Sequence, residues 1–226
     1  MTGDVGYEVW RSAATYQSTP PASPGTGSWS VYVNGTPTPL AADTVVFNNS
    51  GLTAGYTYKY KIRYKLADGS FSAFSNEFMA TTVPPTPIFS TSVVSSSQIK
   101  LSWTDKTGET SYNLQHKVRN GADCNTEDWT GVTSTSVAQN STTTTVSSLL
   151  PGATYCFRLN AANLAGASPW STTVTQTTWL DAPVLNPLTG ITQSRIDLSW
   201  TNIIGNTGYK IERKTGTVAW SQLQHP

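Results

Sequence analysis

IKLSWT at residues 99–104 comes back as IDLSWT at residues 196–201. In the first copy Ile99, Leu101 and Trp103 alternate with Lys100 and Ser102. Successive side chains of a strand point to opposite faces. This pattern therefore predicts a strand with one apolar and one polar face, not a helix. The same alternation recurs in Tyr112 and Leu114, and in Tyr155, Phe157, Leu159 and Ala161. The copies keep a fixed interval. Trp103 to Trp200, Tyr112 to Tyr209, Tyr58 to Tyr155 and Gly69 to Gly166 are each 97 residues apart. Four landmarks at one interval define an internal repeat.

Composition agrees with strands and turns. Ser, Thr, Gly and Asn dominate the polar residues, and no long window carries a helical period. The chain has 226 residues, is 37% hydrophobic and only 12% charged. An immunoglobulin-type sandwich takes about 100 residues, so there is room for two units and part of a third. The formal net charge of +1 gives no argument for nucleic acid. No apolar run approaches the roughly 20 residues of a membrane helix. MTGDVGYEVW lacks the basic and apolar regions of a signal peptide. Two cysteines exclude a disulfide-dense miniprotein and a four-cysteine zinc site. The proline-containing stretches VPPTP at 83–87 and LDAPV at 180–184 mark junctions between units.

These landmarks resemble the fibronectin type III repeat. They are a tryptophan on strand B (Trp103, Trp200), Tyr-x-aliphatic on strand C, LLPGATY at 149–155 entering strand F, and AANLAGASPWS at 161–171 as the F–G turn. The phrasing of the third copy is similar to tandem repeats of bacterial secreted proteins. The resemblance implies an all-β chain of tandem immunoglobulin-like sandwiches, one complete and two partial. The expected units are residues 1–83, from strand C onward; 84–179, complete; and 180–226, strands A to C′. The chain then reads as a fragment of a longer array. The family implies spacing, adhesion or ligand contact outside the cell or at its surface, with no chemistry and no cofactor. The expected partners are a polysaccharide or other surface polymer, a protein, and other domains of the same longer chain. An accessory segment of a secreted carbohydrate-active hydrolase and a virion or tail structural protein are the other readings.

No catalytic or metal constellation emerges. His116 has no acid orienter, and it takes the slot held by Arg11 and Arg213 in the other copies. Trp103, Trp200, Tyr58 and Tyr155 read as core, the tyrosines as corners whose hydroxyls meet the backbone just upstream. Glycosylation sequons start at Asn34, Asn48 and Asn140. ASPWS at 167–171 is half of the Trp-Ser-x-Trp-Ser box, with Ala167 replacing the first tryptophan; the receptor function is not carried over.

Three side-chain sets are candidates. Cys124, leaving strand C, and Cys156, on strand F, share one repeat, and the copy at Lys59 lacks the second cysteine. Strands C and F run antiparallel, so the two sulfurs can meet. A disulfide is expected ahead of free thiols, stabilising by about 3–4 kcal/mol on the chain-entropy model. Arg158 on the outer face of strand F should stack on Trp170, worth roughly 0.5–1 kcal/mol. Lys61 and Phe74 are a weaker pair of the same type. Finally, YKYKIRYK at 58–65 puts Lys59, Lys61, Arg63 and Lys65 on one face and Tyr58, Tyr60, Ile62 and Tyr64 on the core face. The four cations suggest polyanion contact. A solvated face partly neutralised by Glu8 is the plainer reading.

Overall fold

The computed structural model describes residues 4–14, 29–31, 40–121 and 123–223. The sequon at Asn34 lies outside them. Among the described residues every element is a strand except one 3-10 turn at Cys124–Thr126. The chain is all-β, a tandem of immunoglobulin-like sandwich units.

The first unit is a four-stranded antiparallel sheet of β1 (Asp4–Ala14), β2 (Ser30–Val31), β3 (Thr57–Leu66) and β4 (Phe78–Thr81), ordered β2-β1-β3-β4. Its centre is the β1–β3 pair, in which Glu8 lies opposite Arg63 and Val9 opposite Ile62. The second unit has two sheets. One is β5 (Phe89–Ser95), β6 (Gln98–Trp103) and β9 (Thr143–Val146). The other is built from β7 (Ser111–Val118), β8 (Thr135–Ala138), β10 (Thr154–Asn163), β11 (Gly166–Ala167) and β12 (Val174–Thr177), with β10 paired to β7, β11 and β12. In the third unit β13 (Glu212–Arg213) pairs with β14 (Ser221–Gln222), and Leu185 bridges Trp200.

The alternation decides the core. Ile99, Leu101 and Trp103 of β6 meet Tyr112 and Leu114 of β7 and Tyr155, Phe157, Leu159 and Ala161 of β10 in one buried cluster. The tyrosines close the turns as corners. Tyr155 Oη accepts from Leu150 N at 2.8 Å, and Tyr58 Oη accepts from Thr53 N at 2.8 Å. A second latch recurs at the interval of 97. Tyr112 Oη accepts from Lys106 N at 2.8 Å, and Tyr209 Oη accepts from Ile203 N at 2.7 Å. In the second unit it ties the loop between β6 and β7 to the core.

One expectation changes. Ile62, placed on a core face by alternation, is 45% exposed, because no described second sheet covers β3. The repeated stretch of the third unit, residues 196–201, holds only isolated bridges and lies open, as a unit without its opposite sheet requires. Ile196 and Leu198 are 56% and 39% exposed, whereas Ile99 and Leu101 are fully buried. Identical patterns thus acquire different burial from what lies across from them. Large-to-small changes cost most where the side chain is enclosed. Leu101→Ala is expected to lower the unfolding free energy of the second unit by about 2–5 kcal/mol in urea melts. Leu198→Ala, at the equivalent position, should cost under about 1 kcal/mol.

Candidate functional site

The outward side chains of β3 are Lys59, Lys61, Arg63 and Lys65, since Tyr58 is buried on the opposite face. Alongside them runs the segment FSAFS at 71–75. Its two serines fasten it to β3. Tyr64 N donates to Ser72 Oγ at 3.1 Å and Ile62 N to Ser75 Oγ at 3.0 Å. Backbone bonds Ser72 N to Tyr64 O and Ser75 N to Ile62 O, at 3.0 and 2.8 Å, complete the attachment. The residue before each serine is a phenylalanine, and both reach the cation row. Arg63 Cζ stands 4.0 Å from the Phe71 ring centre and 4.9 Å from that of Phe74. Lys61 Nζ stands 4.2 Å from Phe74 and 4.3 Å from Trp29. Lys65 Nζ lies 6.0 Å from Phe71. The order Lys65, Phe71, Arg63, Phe74, Lys61, Trp29 is therefore a ladder of alternating cations and rings. Trp10 of β1 packs edge-on to Phe74 at 5.5 Å and hydrogen-bonds Glu8. Glu8 in turn holds Arg63, with Nε and Nη2 both at 2.8 Å.

The second unit builds one sandwich of the same kind. Ser168 and Ser171 accept from Ala161 N and Leu159 N at 3.2 and 3.0 Å. Trp170, in the segment between β11 and β12, lies 4.5 Å from Arg158, and Trp129 covers the other side at 4.3 Å. Gln115 Oε1 fixes the guanidinium at 2.7 Å. Ala167 stands where the first unit has Phe71, and Asn160 where it has Arg63, so the ladder stops after a single cation. Asn160 is buried and accepts from Asn113 at 2.9 Å. In the third unit Lys214 lies 5.1 Å from Trp220.

Trp129 is delivered by the loop leaving β7, which is pinned at two points. Cys124 is disulfide-bonded to Cys156, with Cα atoms 5.6 Å apart. Both cysteines are buried, Cys156 beneath this loop on the outer face of β10. Three residues after Cys124, Glu127 folds the loop back on its start, accepting from Asn120 N, Gly121 N and Lys117 Nζ at 2.8, 2.6 and 2.8 Å. The Lys117 ammonium and these two amides hold its carboxyl near 2, far below the usual range. His116 stacks on Phe157 at 6.0 Å, and burial lowers its affinity for a proton. Among the described residues no group of three His, Cys, Asp or Glu side chains is disposed to hold a metal. Asn48 and Asn140 are exposed.

Trp10, Trp29, Phe71 and Trp129 were not picked out by the sequence. Phe71 carried a signal, since FSAFS and ASPWS share serines three apart with an aromatic before the second, and FSAFS adds Phe71 before the first. Trp129 sits in a long connection and Trp29 just before the two-residue strand β2, where no period reveals which strand they will cover.

Residues 83–177 match the family model of the fibronectin type III domain. No curated protein matches the chain. Among solved structures, a two-domain segment of chicken tenascin shares 15% identity with a TM-score of 0.46, covering 79% of this chain and 95% of that one. The FN1–FN3 segment of chicken CNTN1 shares 19% with a TM-score of 0.39 over 77% of this chain, which spans 57% of that segment. A domain of human contactin 1 shares 21% with a TM-score of 0.40, over 49% of this chain and 90% of that one.

Two outcomes follow from the pinned loop. A thiol assay on the unfolded, unreduced chain should find no free thiol, and Cys124→Ser with Cys156→Ser should cost the second unit about 3–4 kcal/mol. Glu127 has a depressed folded pKa, so its contribution is present above the unfolded value of about 4.3 and is lost as pH falls towards about 2. Trp129 fluorescence should change over that acid range, and Glu127→Gln should abolish the change.

Proposed function

We propose, from the fibronectin type III match of residues 83–177, that this chain is a non-enzymatic spacer and adhesion segment of an extracellular or cell-surface protein. Domains of this family typically serve as modular spacers or adhesion segments, and their fold is generally non-catalytic. The units taking part are residues 1–83, 84–179 and 180–226. The buried disulfide suits an oxidising compartment.

The observation that carries the spacer reading is the joint between the first two units. Gly55, in the turn entering β3, and Gly108, in the loop before β7, both have φ near +77°, at 76° and 77°. Their backbones meet so closely that a Cβ on Gly55 would strike the Thr107 carbonyl, and one on Gly108 would strike the Gly55 peptide. Only glycine satisfies both the left-handed conformation and this approach. Gly55 N also donates to Val83 O at 2.8 Å. Asn163 Nδ2 ties Thr82 O and Gly108 O together at 3.0 and 2.9 Å. The next junction reuses the positions. Gly152 and Gly205 lie 97 residues beyond Gly55 and Gly108, and both flank the Leu180 side chain. Gly152 N donates to Trp179 O at 2.9 Å. Joints of this type resist bending, which is what a spacer requires.

Small-angle scattering tests the reading. The native chain should give a narrow pair-distance distribution of one extended arrangement. Gly108→Val should broaden it while circular dichroism shows the sandwich intact. A native chain already as broad as the variant would overturn the spacer assignment.

A further inference from the structure

The spacer reading leaves the ladder on the first unit without a task, and the present inference rests on that reading by giving this face one. We propose that the outer face of β3 binds an acidic polysaccharide through Lys59, Lys61 and Lys65. The fold does not demand these cations. The equivalent positions of β10 are Cys156, Arg158, Asn160 and Ala162, and there one stacked guanidinium suffices. The first unit adds charge beyond that need.

The added charge is left uncompensated. Arg63 is matched by Glu8 at 2.8 Å. Among the described residues no carboxylate forms an ion pair with Lys59, Lys61 or Lys65. Alternate residues of a strand lie about 6.6 Å apart, inside the Debye length of about 8 Å at physiological salt. The row from Lys59 to Lys65 is about 20 Å long and straight. Stacking on Phe71, Phe74 and Trp29 restrains two of the ammonium groups, so less side-chain freedom remains to be lost on binding. A linear polymer with regularly spaced carboxylates or sulfates meets such a row along its length. Single-stranded nucleic acid binds through open aromatic platforms, whereas here the rings are already engaged by cations. Duplex DNA is read by elements that enter its grooves, and a flat sheet face offers none.

Heparin is the probe, with an oligothymidylate as the competing polyanion and the full chain as the protein. The native chain should be retained on heparin at low salt. Lys59→Gln, Lys61→Gln and Lys65→Gln together should weaken binding by about tenfold or more and reduce the dependence of log affinity on log salt by about three. Lys100→Gln, Lys106→Gln and Arg119→Gln, an equal change of charge in the second unit, should weaken it by less than about threefold. Glu8→Gln releases Arg63 and should strengthen binding. This single variant decides the matter if the triple variant fails to fold. Absence of retention, equal losses in the two triple variants, an affinity unmoved by Glu8→Gln, or tighter binding of oligothymidylate than of heparin would each overturn the proposal. A native chain that is not retained on heparin but gives the narrow scattering profile overturns this proposal and leaves the spacer reading standing, so the two can fail separately.

Discussion

Everything in the molecule hangs on one strand presenting two unrelated surfaces. In β10 the residues Tyr155, Phe157, Leu159 and Ala161 fill the core, while Cys156, Arg158 and Asn160 face outward between them. The spacing of about 3.3 Å per residue leaves no freedom to adjust one face without the other. A one-residue slip would put Arg158 into the cluster and Phe157 beneath the loop. The core therefore fixes the register, and the register fixes where the outer side chains stand. β3 obeys the same constraint with other residues, and its outer face is accordingly cationic.

The neighbouring segment adds a second period to the first. FSAFS and ASPWS bond to the central strand through serines three residues apart, whereas the strand residues they meet are two apart, Tyr64 with Ile62 and Ala161 with Leu159. Each serine hydroxyl takes up an amide that the segment's own backbone does not satisfy, so the mismatch leaves no orphaned donor. The residue preceding each serine then projects over the cation row. Whether that residue is Phe71, Phe74, Trp170 or Ala167 sets how many rungs the ladder has. Its length is thus a matter of side-chain choice on an unchanged backbone.

The parts readable in the sequence are those governed by local alternation and by the interval of 97. Ile99, Leu101, Trp103 and the β10 core residues needed only a period of two. The outward placement of Lys59, Lys61, Arg63 and Lys65 needed the same rule, and Glu8 was visible as a neighbour because strands C and F are adjacent in any sandwich of this type. The exposure of Ile62 was not readable, because burial depends on a second layer and not on the strand itself. Trp29 and Trp129 were hidden for a related reason. Trp129 reaches its cation from a long connection whose path is set by contacts such as the Cys124–Cys156 bond and the Glu127 anchor, and Trp29 stands just before the two-residue strand β2. The glycine joint was masked by its own plausibility. Gly55 and Gly108 stand in turns, where glycine attracts no notice, and only their contact gives them a second reason to be there.

That joint has a consequence for how such a chain can change length. One of its glycines belongs to the turn of the preceding unit and the other to a loop of the following unit. A unit therefore carries half of a joint at each end. Inserting or deleting one whole period brings together the same two halves, with no new complementarity to be invented. Length can grow or shrink in steps of one unit while the glycine positions of the joint are kept, as Gly152 and Gly205 keep them at the next junction. A change of any other size would part the two glycine positions, and the chain would lose the joint at that place alone.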